Sequence, residues 1–559
     1  MAHRVTRHFV NVNGRQVHCR RVGEGPPVLM VHESPTTGVM LLPLARQLAD
    51  LGYTAMTLDT PGYGASDRLI GVPHPSIADY ADGVVETMNA MGLKRPHVYG
   101  SHTGAQIVLE LGLRHPRATR SLVIDGLPAF TRAESIELRM NWLPQYTPEP
   151  SGAHLIALWH RYRDHTMFWP FYRPQGDSRN AIDMPNAQHI HDRIVDWLLP
   201  GADYPASYHA AFDYDGHLRL SELKARAALT AHHDDLLGFF MDRLPERLGR
   251  RTETARMPKA QHARWIARFF GKEKGPAAPP PSAPTPLANR AIRTYANDGT
   301  RQLLVRRRGD SSARPLVMLP AAPDSGSGLR DLMTRLAESR PVYTIDLPGT
   351  GGSDELRSRQ PTIEEFANSV LRGVRSLDIS SFDLYGTGVG AVVALALASA
   401  IPKLVGGIVL EDVALPSKAE SQELRKHADQ TITPVTDGTH LVQAWTFVRD
   451  HELYAPWFDR TKGAIRHVTP ASPDEIQRRT LEVLKSPTTF WLPTRAALDY
   501  PLEASLKAST EAGVMVCATS DSAAAPHLPR AARAARARPT TFANSDDRAD
   551  SIDAFLKGN

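Results

Sequence analysis

The chain has 559 residues, 42% of them hydrophobic and 22% charged, and its net charge is +5. That apolar fraction builds ordinary globular cores, and so small a charge excess on a chain of this length is no nucleic-acid footprint. The two cysteines, Cys19 and Cys517, stand near opposite ends of the chain, which excludes a disulfide framework and a Cys-rich zinc site.

Met1 to His8 hold no apolar stretch of signal-peptide type. The longest apolar run, around Ala391 to Ile401, falls far short of the ~20 residues that a membrane span needs. The expectation is a soluble cytoplasmic protein without a membrane partner.

In chain order, Pro27 to Val31 is a short apolar run, followed by a turn and a helical pattern from Leu41 to Leu51. Strand Thr54 to Leu58, a Gly-rich loop, helix Ile77 to Met91 and strand His97 to Tyr99 come next. A tight turn leads into helix Ala105 to Arg114 and strand Ser121 to Ile124. Strands that are apolar throughout, separated by helices, predict a buried, mostly parallel sheet with helices on both faces. From about 127 to 220 an aromatic-rich helical pattern interrupts the rhythm. Strands at Ala227 to Ala231 and Thr252 to Met257, then a helix ending near Phe270, complete the half.

Residues 271–287 contain Pro276, Pro279, Pro280, Pro281, Pro284 and Pro286, and read as an extended linker. Beyond it the pattern starts again. Asp59-Thr-Pro-Gly-Tyr-Gly-Ala-Ser-Asp67 recurs as Asp346-Leu-Pro-Gly-Thr-Gly-Gly-Ser-Asp354. His154, Trp159, Arg163-Asp164-His165 and Pro170 recur as His440, Trp445, Arg449-Asp450-His451 and Pro456. So many matches in register mark a duplication with a domain-sized period. The expected domains are 1–270, with a cap at about 127–220, and 288–559, with a cap at about 414–506.

Each half has a strand, a sharp small-residue turn and a helix: Gly100-Ser101-His102-Thr103-Gly104 and Gly386-Thr387-Gly388-Val389-Gly390. With the Asp-x-Pro-Gly-x-Gly-x-Ser loops, this layout resembles the α/β-hydrolase fold superfamily, written twice and with a helical cap after the sixth strand. Gly-x-His-Thr-Gly at the turn, with His32-Glu33-Ser34-Pro35 after the third strand, resembles a distinct subgroup. The resemblance implies a nucleophile elbow at His102 and at Gly388. It also implies an oxyanion hole from the backbone N–H groups of Thr103 and Glu33.

Glycine carries no side chain, and Arg548 stands where the first half has His262, so the second half is expected to be inactive. His102 sits at a helix N-terminus, which disfavours the imidazolium and predicts a pKa below the ~6.5 of free imidazole, with Asp125 or Glu33 pushing the other way. A neutral His102 would serve as general base or transient nucleophile. Its partner acid is open between Asp125 and Asp234 or Asp235, and Glu33 is an alternative orienting group. His262 is open between a catalytic role and a surface helix position. His32, Ser101, Trp142 and Trp169 are candidate pocket residues.

The expected reaction is hydrolysis of a small ester, lactone, amide or activated C–C bond in the first half, with no cofactor and no metal. The rivals are a non-catalytic small-molecule binder and a lyase or cofactor-free oxygenase. The expected partner is a small-molecule substrate, with no nucleic acid. The two halves are expected to pack on each other within the chain, and a homo-oligomer stays open. Four arginines, Arg530, Arg533, Arg536 and Arg538, read as a solvated basic helix face.

Overall fold

The computed structural model describes residues 3–143, 147–273, 275–288, 290–509 and 513–558. The chain divides into two compact units, residues 1–147 with 157–285, and residues 148–156 with 286–559.

The first unit holds eight strands: β1 (Thr6–Val12), β2 (Arg15–Val22), β3 (Pro27–Val31), β4 (Thr54–Leu58), β5 (His97–Ser101), β6 (Ser121–Asp125), β7 (Ala227–His232) and β8 (Thr252–Met257). They form one sheet in the order β1-β2-β4-β3-β5-β6-β7-β8. The β1–β2 and β2–β4 pairs are antiparallel and the rest are parallel. Side chains alternate across the sheet with the period of two that a strand imposes. Val28 and Met30 pack with Leu41, Leu48, Ile266 and Phe269 on one face, while Leu29 and Val31 pack with Ile77, Tyr80, Ala105 and Ile107 on the other. Burial on both faces explains why β3 to β7 read as uninterrupted apolar runs.

The antiparallel hairpin β1–β2 carries alternating polar residues on a sheet edge and has no such signal. Beyond it the linker lies extended along the first unit: Ala278 N–H donates to Gly25 O at 2.9 Å, and Asn11 Nδ2 donates to Thr285 O at 2.5 Å. In sequence, helices Arg132–Asn141, Ala153–Met167, Ala187–Leu198 and Ala206–Phe212 fall between β6 and β7, and residues 148–156 of this stretch group with the second unit rather than the first.

The second unit repeats the sheet with β9 (Ile292–Asn297), β10 (Gln302–Arg308), β11 (Leu316–Leu319), β12 (Val342–Ile345), β13 (Phe382–Thr387), β14 (Val405–Glu411), β15 (Val514–Thr519) and β16 (Pro539–Phe542). The order, β16-β15-β14-β13-β11-β12-β10-β9, is that of the first sheet listed from its other edge.

The Asp-x-Pro-Gly loops are structural in both copies. Asp59 is fully buried and accepts from the N–H groups of Gly38 and Ala65, from Arg20 Nη1 at 2.6 Å and from His18 Nδ1 at 2.8 Å. Burial would raise its pKa, but Arg20 and His18 hold it well below the ordinary carboxylate range. Asp346 accepts likewise from Arg306, Gly326 and Gly352. Among the described residues, no helix is long and apolar enough to cross a membrane.

Candidate active site

β5 ends at Ser101, helix Thr103–Arg114 begins two residues later, and His102 makes the turn alone at φ 49° and ψ −111°. Small neighbours are a packing requirement. A Cβ on Gly104 would lie 2.2 Å from Val31 O, so only glycine lets the helix start against β3. Gly388 turns the same corner at φ 54° and ψ −122°.

The turn lifts the His102 ring between two carboxylates. Nδ1 stands 2.7 Å from Glu33 Oε2, on the loop after β3, and Nε2 stands 2.9 Å from Asp235 Oδ1, on the loop after β7. The Leu237 N–H donates to the same Asp235 oxygen at 2.9 Å and fixes it. Gly126, at φ 58° after β6, makes room: a Cβ there would meet Asp235 Oδ2 at 2.4 Å and His102 Cδ2 at 2.6 Å. Asp235 is almost fully buried, while the Glu33 and His102 side chains keep 27% and 26% exposure.

Electrostatics here reverse the sequence expectation. Burial would lower the His102 pKa, but Asp235 and Glu33 outweigh it and hold the pKa well above 6.5. The same pairing overcomes burial at the acids and depresses them, Asp235 to about 2. The resting site is an imidazolium donating from both nitrogens to two carboxylates, and in that state His102 is neither a nucleophile nor a base. Two full negative charges within hydrogen-bond reach exceed the half charge of a helix terminus.

The other predicted residues fall elsewhere. Asp125 does not orient the His102 ring; only its backbone oxygen accepts from the His102 N–H, at 2.9 Å. Its carboxylate accepts from Tyr99 OH at 2.7 Å and Thr230 Oγ1 at 2.6 Å, with His262 Nε2 at 3.2 Å from Oδ1. His262 is therefore a buried partner of Asp125 and neither a surface residue nor part of the elbow trio. The second unit repeats the arrangement: Tyr385 OH donates to Glu411 at 2.7 Å, and Arg548 Nε stands 3.0 Å from it. This tyrosine–carboxylate–cation pairing is thus present in both units, also where the elbow holds glycine.

Asp234 is exposed, and its neighbour Asp235 takes the inward position. His32 serves the loop after β3. It is buried, with Nδ1 donating to Glu33 O at 2.7 Å and Nε2 accepting from the Thr60 N–H at 2.9 Å, so it fixes the loop that carries Glu33. Burial lowers its pKa, in keeping with that neutral tautomer. Ser101 Oγ is buried below the turn without a hydrogen-bond partner among the described residues. Trp142 is buried in the cap, its ring 5.0 Å from His165 and 5.0 Å from the half-buried Trp169. The sequence reading passed over His165, whose pKa burial lowers to about 4 although Glu33 acts on it in the opposite sense.

Thr103 opens its helix, so its N–H is one of the donors that a helix leaves unpaired at its start. The turn thus brings a cation and an ionised carboxylate together at a helix start. In the second unit Ala321 and Gly388 stand at the positions of Glu33 and His102.

A family model described as alpha/beta hydrolase fold matches residues 26–155, and one described as Alpha/beta hydrolase family matches residues 316–548. A fluoroacetate dehalogenase of Burkholderia sp is 29% identical over 152 residues, 26% of this chain and 50% of that protein. A putative carbamate hydrolase, RutD, of Caulobacter vibrioides (strain NA1000 / CB15N) is 27% identical over 190 residues, 33% of this chain and 64% of that protein. The chain thus spans between half and 64% of the length of these curated relatives. Among solved structures, epoxide hydrolase A from Mycobacterium thermoresistibile is 18% identical with a TM-score of 0.39, and the match covers 49% of this chain and 100% of that one. With one family match in each half and the same strand order in both sheets, the chain belongs to the α/β-hydrolase fold superfamily, as a tandem duplicate.

Proposed function

We propose that the first half is a hydrolase of a small ester, lactone or amide, carbamates included, and that Glu33, His102 and Asp235 carry its chemistry. The observation behind this reading is the His102 ring held at 2.7 Å and 2.9 Å between two carboxylates at the elbow. Glu33 takes a proton from water as the water oxygen attacks the carbonyl carbon. The carbonyl electron pair moves onto oxygen, where the Thr103 N–H and the His102 cation offset the new charge. Collapse re-forms the carbonyl and expels the leaving group, which takes the proton back from Glu33. Asp235 keeps His102 charged and oriented. A depressed pKa makes Glu33 a weak base that is always ionised near pH 7, so the scheme relies more on oxyanion stabilisation than on base strength.

Relatives named as a dehalogenase and a carbamate hydrolase support hydrolysis in general and leave the substrate to experiment. The second half, with Ala321 and Gly388 at the matching positions, is the catalytically inactive copy. The proposal is tested by screening esters, lactones, amides and carbamates with the full chain and with His102→Ala side by side. Turnover by the unmodified protein and a loss on the order of 10²-fold in the variant support it. Equal turnover by both overturns it.

A further inference from the structure

The second unit has a cavity of about 130 Å³, lined by Ala321, Ala428, His451, Trp457, Arg479 and Thr494 among others, and Ala321 packs beside the Gly388 elbow. The duplication explains why it exists. Trp142 and Ala428 are the C-caps of equivalent cap helices, and Tyr208 and Thr494 occupy equivalent positions in a later one. In the first unit the Trp142 and Tyr208 rings lie 6.2 Å apart and Trp142 packs on His165. In the second, an alanine and a threonine replace both rings, and Ala321 replaces Glu33. Three large-to-small exchanges around one point leave space that close packing otherwise fills.

The walls are aromatic. The His451 and Trp457 rings stack at 4.6 Å and 13°, and Phe447 lies 5.0 Å from Phe490. Charge in the lining is already matched, because Arg479 is ion-paired with Glu452 and stands 3.9 Å from Asp324. His451 offers the cavity an acceptor. His451 Nδ1 donates to Phe447 O at 2.8 Å, which leaves Nε2 as an acceptor with no partner among the described residues. Burial keeps this ring neutral, with its pKa pushed down to about 4.

We infer that the inactive second unit has become a binding site for a neutral, single-ring aromatic molecule that carries one hydrogen-bond donor. The ring stacks among Phe447, Trp457 and Phe490, and the donor meets His451 Nε2. The volume is close to the ~150 Å³ cavity known to take up benzene. The inference rests on the second unit alone and stands or falls independently of the hydrolase reading.

The test uses 4-fluorophenol and the full chain, followed by ¹⁹F NMR. The unmodified protein should bind it saturably, and fluorobenzene, which lacks the donor, should bind several-fold more weakly. Ala428→Trp, which restores the ring of the first unit, should weaken binding at least tenfold. Thr494→Tyr fills the same space from another helix and serves if the first variant does not fold. A phenol bearing a photoreactive diazirine should label peptides containing Phe447 or Trp457. No saturable binding, affinity unchanged in the folded filled variants, or labelling confined to the first unit would each overturn the inference.

Discussion

Gly126 and His102 are in contact where no side chain could stand between them: a Cβ on Gly126 would lie 2.6 Å from His102 Cδ2 and 2.9 Å from Nε2. The backbone there has φ 58°, so a side chain would be strained as well as crowded. Gly126→Ala should cost about 1–2 kcal/mol in stability from backbone strain alone. It should also push His102 and Asp235 apart and lower kcat/KM at least tenfold. Chemical denaturation and steady-state kinetics on the same preparation separate the two effects.

The buried Tyr99–Asp125 and Tyr385–Glu411 pairs predict stability effects without catalytic ones. Asp125→Asn and Glu411→Gln each remove the charge that the tyrosine and its basic neighbour face. Each should destabilise by about 1–3 kcal/mol, the usual cost of a buried polar group that loses its partner. Turnover below the unfolding transition should stay within a few-fold. Thermal unfolding and activity measured at low temperature make the comparison.

Much of this molecule could be read from its residues. Parallel strands buried on both faces become runs such as Pro27 to Val31, and helix-on-strand contact forces the glycine spacing of Gly100 and Gly104, so sheet, elbow and duplication were all legible. The β1–β2 hairpin was not, because Arg15 to Val22 mixes arginines with apolar residues. Asp234 and Asp235 are chemically identical neighbours, and the turn after β7 decides which one faces inward. Asp125 occupies a strand end that suits a catalytic acid, but Tyr99 and Thr230, distant in sequence, claim its carboxylate. The sign of the His102 pKa shift depends on both carboxylates being near it at once, which spacing along the chain does not reveal.

That sign gives a pH prediction. His102 has a folded pKa raised above 6.5, so its contribution to stability is complete below 6.5 and is lost as pH rises through the folded value. Glu33 and Asp235 are depressed below 4.5 and 3.8. Their contributions are complete above those values and are lost as pH falls through the folded ones. Stability from the trio should therefore be greatest between pH ~4.5 and ~6.5 and decline on both sides. NMR of labelled histidine should show the His102 ring fully protonated at pH 7, and hydrolysis should fall at alkaline pH as it deprotonates. A ring that titrates near or below 6.5 contradicts this.

The central claim is that Glu33, held by His102, performs the proton transfer. Glu33→Gln keeps the size of the side chain and one acceptor oxygen for His102 Nδ1 but removes the base. On any ester, lactone or carbamate that the unmodified chain hydrolyses, kcat/KM of Glu33→Gln should fall on the order of 10²-fold or more, with kcat carrying most of the loss. Unchanged kcat in a folded Glu33→Gln protein would contradict the account.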